Sequence, residues 1–261
     1  MKTLAYVVYD AFGDWISCNG MIRHLTKDYD KILLVLDTDG CKSFVSYMFR
    51  DNDKIGVISL LEYRNMCMSN NEFDVIDVRV NEVYSHPGNI GNYYNKDSKY
   101  GSYNGKTITD NASGFYVHSG FSPSIRIKEF DYERDLEEEK RITDIINPPN
   151  EYAIICEMET GMIDRSYIHT EHILNLHRLT ENFTDLISII ENAKEVHLIE
   201  NSIGLFVYHL QSSGLMESTP INLHSYARQE SHRKCEGEDC NNKFLNMLKY
   251  PKLYNWNFIW K

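Results

Sequence analysis

The stretch Val196-His-Leu-Ile-Glu-Asn-Ser-Ile-Gly-Leu-Phe-Val-Tyr-His-Leu210 joins a short apolar strand to a helix through a turn of small and polar residues. The segment Tyr6-Val-Val-Tyr-Asp-Ala-Phe-Gly-Asp-Trp15 has the same order of strand, turn and helix. Such turns lie at the carboxyl ends of strands, where open α/β sheets usually bind their ligands. The two stretches therefore predict an α/β protein with two Rossmann-like lobes.

Strand and helix patterns alternate through the rest of the chain. Apolar runs predict strands at residues 4–9, 32–36, 57–61, 73–80, 115–118, 152–158, 173–176, 196–199 and 220–226. Helical spacing predicts helices at residues 15–25, 41–49, 131–146, 183–190 and 203–210, and the last of them should end near Gly214. Because parallel neighbours need crossover connections, and helices usually supply them, we expect mostly parallel sheets with a ligand cleft between the lobes.

Pro148-Pro149 is the best candidate for a domain boundary, since it stops the preceding charged helix. We expect a first lobe at residues 1–147 and a second lobe at residues 148–243. The aromatic segment 244–261 must bury its rings, and we expect it to pack back on the first lobe. Residues 81–114 have no strand or helix period, which indicates a long surface excursion of the kind that often carries function.

Composition and charge exclude several classes of protein. The formal net charge of −11 argues against a nucleic-acid partner, which needs clustered Lys and Arg. No run approaches the roughly 20 apolar residues of a membrane span. The sequence has six cysteines, Cys18, Cys41, Cys67, Cys156, Cys235 and Cys240. Several of them fall within apolar patterns that are typical of buried, reduced thiols. We therefore expect a soluble, cytoplasmic protein.

Asp14 follows Gly13 at the predicted end of the first strand and start of the first helix. One interpretation is structural, because aspartate is a favoured N-cap whose carboxylate accepts backbone N–H groups. The other is catalytic, since a carboxylate at the carboxyl end of a strand can accept a proton from an attacking hydroxyl group.

Two motifs carry a resemblance to a known family. The segment Asp10-Ala-Phe-Gly-Asp-Trp-Ile16, followed by a helix with Ile22-Arg-His-Leu25, resembles the opening of heptosyltransferase-like GT-B glycosyltransferases. Glu200-Asn-Ser-Ile-Gly-Leu-Phe206 is similar to the donor-side turn of that family. Similar short GT-B proteins occur in large DNA viruses, which would place this protein in the host cytoplasm.

The resemblance implies an inverting, metal-independent hexosyl- or pentosyltransferase with Asp14 as its base. It also implies that the first lobe, residues 1–147, binds a glycan or glycoprotein acceptor and that the second lobe, residues 148–243, binds a nucleotide-sugar donor. The donor-side turn departs from the family, however. The usual Asp-Thr/Ser-Gly-x-x-His is here Glu-Asn-Ser-Ile-Gly, with no histidine at the expected spacing. The identity of the donor therefore stays open.

Several residues are candidates for donor binding. Ser202 and the N–H groups of the residues that follow it suit a diphosphate, although a plain N-cap serine explains the same pattern. Arg165 follows a predicted strand and can contact phosphates, or it is a solvated loop arginine. Tyr226 and Arg228 are placed to stack on or flank a nucleobase. The full donor-binding prediction is Gly13, Arg165, Asn201, Ser202, Ile203, Tyr226 and Arg228.

His118 is the candidate for acceptor binding, against the alternative of a structural histidine. Metal sites have little support. His232, Cys235 and Cys240 with His224 lack the paired spacing of zinc sites, and His169, His172 and His177 lack a completing carboxylate. The Asp37-Thr-Asp39 segment more simply ends a strand and caps the next helix. We expect no metal and no cofactor.

The sequence contains no Gly-x-Gly-x-x-Gly, Walker, Gly-x-Ser-x-Gly or His-Glu-x-x-His motif, which removes the main support for nicotinamide enzymes, P-loop NTPases, α/β-hydrolases and zincins. A nucleotide-sugar hydrolase or epimerase is a further enzymatic alternative, and the missing dinucleotide fingerprint disfavours the epimerase. The favoured hypothesis is a glycosyltransferase. The rival hypothesis is a non-catalytic protein that binds a glycan or a partner through the tyrosine-rich residues 93–116.

Overall fold

A computed structural model describes residues 1–8, 11–69, 72–78, 102–103, 106–107, 111–157, 162–179, 182–217, 219–224 and 256–259. The chain divides into two compact units, Met1–Glu133 and Arg134–Lys261. Each unit is built around its own parallel β-sheet with helical crossovers. The predicted α/β class with two mostly parallel sheets is therefore confirmed.

The first unit alternates strands and helices from its start. Its elements are β1 (Thr3–Val7), α1 (Phe12–Leu25), β2 (Lys31–Leu36), α2 (Lys42–Met48), β3 (Ile55–Ser59), α3 (Leu60–Met68), β4 (Asp74–Asp77), β5 (Ser102–Tyr103), β6 (Lys106–Thr107), α4 (Asn111–His118) and α5 (Ile125–Lys128). The strand order is β3-β2-β1-β4, all parallel, and β5 and β6 form a separate antiparallel pair. Central β1 is buried from Leu4 to Val7, as expected of a strand covered on both faces.

Helix α1 is buried along most of its length because other helices cover it. At Gly20 the backbone of α5 comes so close that an added Cβ would lie 2.7 Å from the carbonyl oxygen of Ile125. Only glycine allows this approach, so Gly20 sets how closely the two helices pack. This contact holds α1 against α5.

The second unit begins with a helix and continues as a five-stranded parallel sheet. Its elements are α6 (Leu136–Ile146), β7 (Ala153–Cys156), β8 (Ile173–Asn175), α7 (Ile187–Glu191), β9 (Glu195–Leu198), α8 (Ser202–Ser213), β10 (Ile221–His224) and β11 (Trp256–Ile259). Single 3-10 turns lie at Arg165–Tyr167, Leu176–Arg178 and Phe183–Leu186. The strand order is β11-β10-β9-β7-β8, with every pair parallel.

The unit boundary falls before α6, whereas the sequence placed that helix in the first lobe. The reason is a buried ionic cluster within the second unit. Arg134 bonds the carboxylates of Glu139 and Glu191, and Glu139 also accepts the N–H and hydroxyl of Ser188. Because Glu139 is 1% exposed, these bonds fix α6 to the second unit.

Two further expectations differ from the structure. Residues 115–118 were predicted as a strand but form the end of helix α4, where Phe115, Tyr116 and Val117 are all buried. The segment 244–261 was expected on the first lobe, yet its described part is β11, which pairs with β10. Trp256 donates its indole N–H to Gln211 of α8 at 2.7 Å, which anchors the strand within the second unit.

Candidate active site

Asp14 lies where the topology of the first sheet favours ligand binding. The chain builds β2 and β3 on one side of β1 and then places β4 on the other, so the strand order reverses beside the carboxyl end of β1. Open α/β sheets bind ligands at such a switch point. Helix α1 starts there, and Asp14 is its third residue, with its N–H bonded to the carbonyl of Ala11 at 3.0 Å.

The structure does not support the N-cap interpretation of Asp14. Ala11 is the N-cap residue, with extended backbone angles of φ −130° and ψ 139°, and no side chain caps the helix. Among the described residues, no group donates a hydrogen bond to the carboxylate of Asp14. Gly13 is also helical, and its carbonyl accepts the hydroxyl of Ser17 at 2.8 Å. The carboxylate of Asp14 is therefore available to a ligand.

Burial raises the pKa of Asp14 to about 6. The helix N-terminus acts in the opposite direction, because its partial positive charge favours a carboxylate. Desolvation is the larger effect here, since none of the described residues donates a hydrogen bond to the carboxylate that would compensate for lost water. A carboxylate with this pKa is ionised at neutral pH and is also a better base than an ordinary aspartate.

The floor beneath Asp14 is apolar and buried. Tyr6 on β1 and Cys18, one turn further along α1, are both fully buried. Burial raises the pKa of each, and the charge of Asp14 raises both further. These side chains therefore stay neutral and keep the dielectric around Asp14 low, which sustains its raised pKa.

A groove opens at the neighbouring strand ends of the first sheet, with a volume of about 170 Å³. It is lined by Leu36, Asp37, Thr38, Asp39, Lys42, Ile58, Ser59, Leu60 and Leu61. Thr38, the middle residue of the Asp37-Thr-Asp39 segment, caps the 3-10 turn by accepting the N–H of Gly40. Within the described ranges, His, Cys, Asp and Glu side chains nowhere gather in threes that could hold a metal ion.

The second sheet has its own switch point, between β7 and β9. The chain places β8 on one side of β7 and then β9, β10 and β11 on the other. The carboxyl ends of β7 and β9 lead to Glu157 and to the turn before α8, respectively. Arg165, Asn201, Ser202 and Ile203 therefore surround the place where a doubly wound sheet binds its ligand.

Helix α8 presents backbone N–H groups at this rim. Asn201, not Ser202, is its N-cap, and the amide oxygen of Asn201 accepts the N–H of Gly204 at 2.9 Å. Ser202 and Ile203 are the first two helical residues, whose N–H groups have no acceptor within the helix. In the described part of the chain nothing else accepts from them, so the helix start can bind an anion.

Close approach of α8 to β9 depends on Gly204. A Cβ at this position would lie 2.8 Å from the carbonyl oxygen of Ile199. The side-chain N–H of Asn201 also contacts the thiol of Cys156 at 3.0 Å, which links the helix start to β7. Burial raises the pKa of Cys156 to about 12, so this thiol is a neutral structural group.

Arg165 is partly exposed and is paired with a buried carboxylate. Its Nη1 and Nη2 atoms donate to the Glu157 carboxylate at 3.0 and 2.5 Å, and the Arg165 side chain is 44% exposed. Asp164 caps the 3-10 turn Arg165–Tyr167 by accepting the N–H of Ser166. The guanidinium is thus held in one orientation while a large part of it remains open to solvent.

A buried histidine pair lies on the same sheet and was missed by sequence reasoning. His197 Nδ1 and His224 Nε2 are 2.9 Å apart, and His197 Nε2 is 3.3 Å from Glu195. Burial lowers the pKa of His197, with the nearby Glu195 opposing that change. His197 and Glu195 are two residues apart on β9, so their side chains lie on the same face of the sheet. This spacing was the only signal in the sequence of their contact.

Other predicted site residues are only partly described. His118 is the last residue of α4, and its side chain lies outside the described residues. Tyr226, Arg228 and the candidate zinc ligands His232, Cys235 and Cys240 also lie outside them. Most of the tyrosine-rich segment 93–116 is not described either. Tyr116, its last residue, is fully buried and therefore presents no surface to a glycan.

No protein-family model matches this chain, and no curated protein is significantly similar to it. Among solved structures, the crystal structure of the glycosyl transferase family 9 from Veillonella parvula DSM 2008 is similar, with a TM-score of 0.49. The sequence identity is 11%, and the match covers 85% of this chain and 80% of that chain. Within the described ranges, none of the helices has the length and apolarity needed to cross a bilayer.

Proposed function

We propose that this protein is a glycosyltransferase that moves a hexosyl or pentosyl group from a nucleoside-diphosphate sugar to a glycan hydroxyl. The observation that carries the proposal is Asp14: a carboxylate without a donor partner among the described residues, at a sheet switch point, with a pKa of about 6. Proton transfer from a hydroxyl is the chemistry that suits such a group near neutral pH.

In the proposed reaction the acceptor hydroxyl gives its proton to Asp14. Its oxygen forms a bond to the anomeric carbon of the donor sugar while the bond from that carbon to the diphosphate oxygen breaks. The electron pair of the broken bond leaves with the nucleoside diphosphate, and Asp14 then releases its proton to solvent. Attack opposite the leaving group inverts the anomeric centre, and no metal ion takes part.

The proposed donor site is the rim of the second sheet. The N–H groups of Ser202 and Ile203 at the start of α8, together with Arg165, form a positively charged binding site for the diphosphate. Negative charge grows on the diphosphate as it departs, so donors already fixed in place stabilise the transition state. Tyr226 and Arg228 remain the predicted contacts to the nucleobase.

The first test is a thermal-shift screen with UDP, GDP, ADP, dTDP and CMP, each in magnesium and in EDTA. A ligand that binds only the folded state raises the melting temperature by mass action. We expect one diphosphate to raise it equally in both conditions. No shift with any nucleotide would favour the rival glycan- or partner-binding function.

The second test is a transfer assay that compares the wild type with Asp14→Asn. Its donor is a sugar derivative of the diphosphate that raises the melting temperature. We expect the rate to fall by about 10²- to 10⁴-fold, the usual contribution of a general base, with the nucleotide shift unchanged. Asp53→Asn, at an exposed turn of the same unit, is the matched control. Transfer at the wild-type rate by Asp14→Asn would disprove the role of this carboxylate.

A further inference from the structure

Glu157 is the first residue after β7, and its carboxylate joins the end of that strand to Ile163 and Arg165. Its side chain is 8% exposed. One oxygen, Oε1, accepts from Nη2 of Arg165 at 2.5 Å, and the other, Oε2, accepts from Nη1 at 3.0 Å. Oε2 also accepts the N–H of Ile163 at 3.1 Å. One buried carboxylate therefore fixes both the guanidinium and the backbone beside it.

The bonds to Glu157 use only one edge of the guanidinium. Arginine has five N–H donors in a planar fork, and Glu157 takes one from Nη1 and one from Nη2. Nη1 also approaches the carbonyl of Ile163 at 3.4 Å. The Nε–H and the second Nη2–H form the adjacent edge, and within the described residues nothing accepts from Nε. That edge matches the spacing of two phosphate oxygens.

We infer that Glu157 is a positioning residue that holds Arg165 so that its Nε and Nη2 edge meets a phosphate of the nucleotide donor. This inference rests on the function proposed above. An arginine side chain loses considerable rotamer freedom when it binds an anion, and Glu157 removes that freedom before the ligand arrives. The carboxylate thus acts on the phosphate only through Arg165.

The opposite effect on anion binding is also physically possible, and the direction of the change in Kd distinguishes the two effects. A carboxylate bonded to an arginine cancels part of its charge and repels an incoming phosphate. If that effect were dominant, removal of the Glu157 charge would tighten anion binding. If positioning is dominant, removal of the charge weakens binding although the site becomes more positive.

The test is a double-mutant cycle, with calorimetric titration of inorganic pyrophosphate and of the nucleoside diphosphate that stabilises the wild type. We expect Glu157→Gln and Glu157→Asp each to raise Kd roughly tenfold. Glu157→Asp keeps the charge but retracts the carboxylate, so it separates position from charge and serves if Glu157→Gln folds poorly. In the Arg165→Ala background, Glu157→Gln should leave Kd unchanged.

Each other outcome has a definite meaning. Tighter or unchanged binding by Glu157→Gln, or wild-type affinity in Glu157→Asp, overturns the positioning role and leaves the proposed function intact. An equal loss of affinity in the Arg165→Ala background shows that Glu157 supports only the fold, and it overturns the inference too. If the wild type binds neither probe, both the inference and the proposed function are rejected.

Discussion

The hydroxyl of Tyr116 accepts the backbone N–H of Met21 at 3.1 Å, inside the hydrogen-bond ladder of helix α1. The same hydroxyl donates to the carbonyl of Ser17 at 2.8 Å. A side chain from α4 thus bonds two backbone groups of α1 that lie one helical turn apart. Because Tyr116 is fully buried, its hydroxyl is a structural part of the helix that carries Asp14.

Tyr116→Phe should lower the free energy of unfolding by about 1 to 3 kcal/mol, because it removes two buried hydrogen bonds between α4 and the backbone of α1. Urea denaturation followed by circular dichroism measures the change. Tyr47→Phe, on α2, is the matched tyrosine control, since Tyr47 packs against Arg50 in a cation-π contact that the phenylalanine ring keeps. An equal loss in both variants would contradict a special role for Tyr116.

The rate of transfer should rise with pH through about 6 and then stay constant to about pH 8. Asp14 must be ionised to accept a proton, and burial raises its pKa to about 6. The measurement is kcat/KM against pH in buffers of constant ionic strength. A rising limb centred below pH 4.5, where an ordinary aspartate titrates, would mean that Asp14 is not the base.

Asp14→Asn should be more stable than the wild type at pH 7 and lose that advantage in acid. The raised pKa means that the folded state binds the proton more tightly than the unfolded state, so Asp14 costs stability as pH rises from about 4 to about 6. With allowance for partial exposure, the difference between pH 4 and pH 7 is about 1 to 3 kcal/mol. Asp53→Asn should show no such change when both are melted across this range.

Arg165→Ala should weaken binding of the diphosphate by about 10- to 100-fold, the usual loss for a charge-assisted contact. It should also destabilise the second unit, because the buried Glu157 carboxylate loses its partner. Arg141→Ala removes an exposed arginine paired with Glu138 and should change neither property. Unchanged affinity in Arg165→Ala would remove this residue from the donor site.

Gly204→Ala should destabilise the second unit by about 1 to 3 kcal/mol, although alanine is normally the better helix former. The new Cβ would lie 2.8 Å from the backbone carbonyl of Ile199, so α8 must move away from β9. Gly56→Ala is the control, since its nearest neighbour is a Leu33 methyl at 3.8 Å. Diphosphate affinity should fall in Gly204→Ala as well, and a stabilised variant would contradict the predicted contact.

Many of the strands and helices could be predicted from local sequence patterns. The apolar runs that became β1, β2, β7 and β9 are short and continuous, as buried parallel strands require. Helix α8 was predicted to end near Gly214, and the structure ends it at Ser213 with Gly214 at φ 76°. A left-handed C-cap is the position that most favours glycine, so the place of this glycine in the sequence was enough to locate the end of the helix.

Other features depend on contacts that sequence spacing does not reveal. Residues 115–118 have strand-forming side chains, but burial against α1 and the bonds made by Tyr116 fix them as helix. Glu157 was not recognised as part of the site, because its role depends on a contact with Arg165 that only the folded chain reveals. His197 and His224 come from different strands, and only the register of β9 and β10 brings them together.

The position of β11 also matters while the chain is being made. The four strands of the first sheet are complete once Asp77 has been synthesised, so that sheet can form early. The second sheet must wait for Trp256–Ile259, far beyond the end of β10 at His224. Until then β10 presents an open hydrogen-bonding edge, which is where another unfinished chain can add a strand. A chain that has folded only as far as β10 therefore carries an open strand edge, with which β11 pairs in the finished molecule.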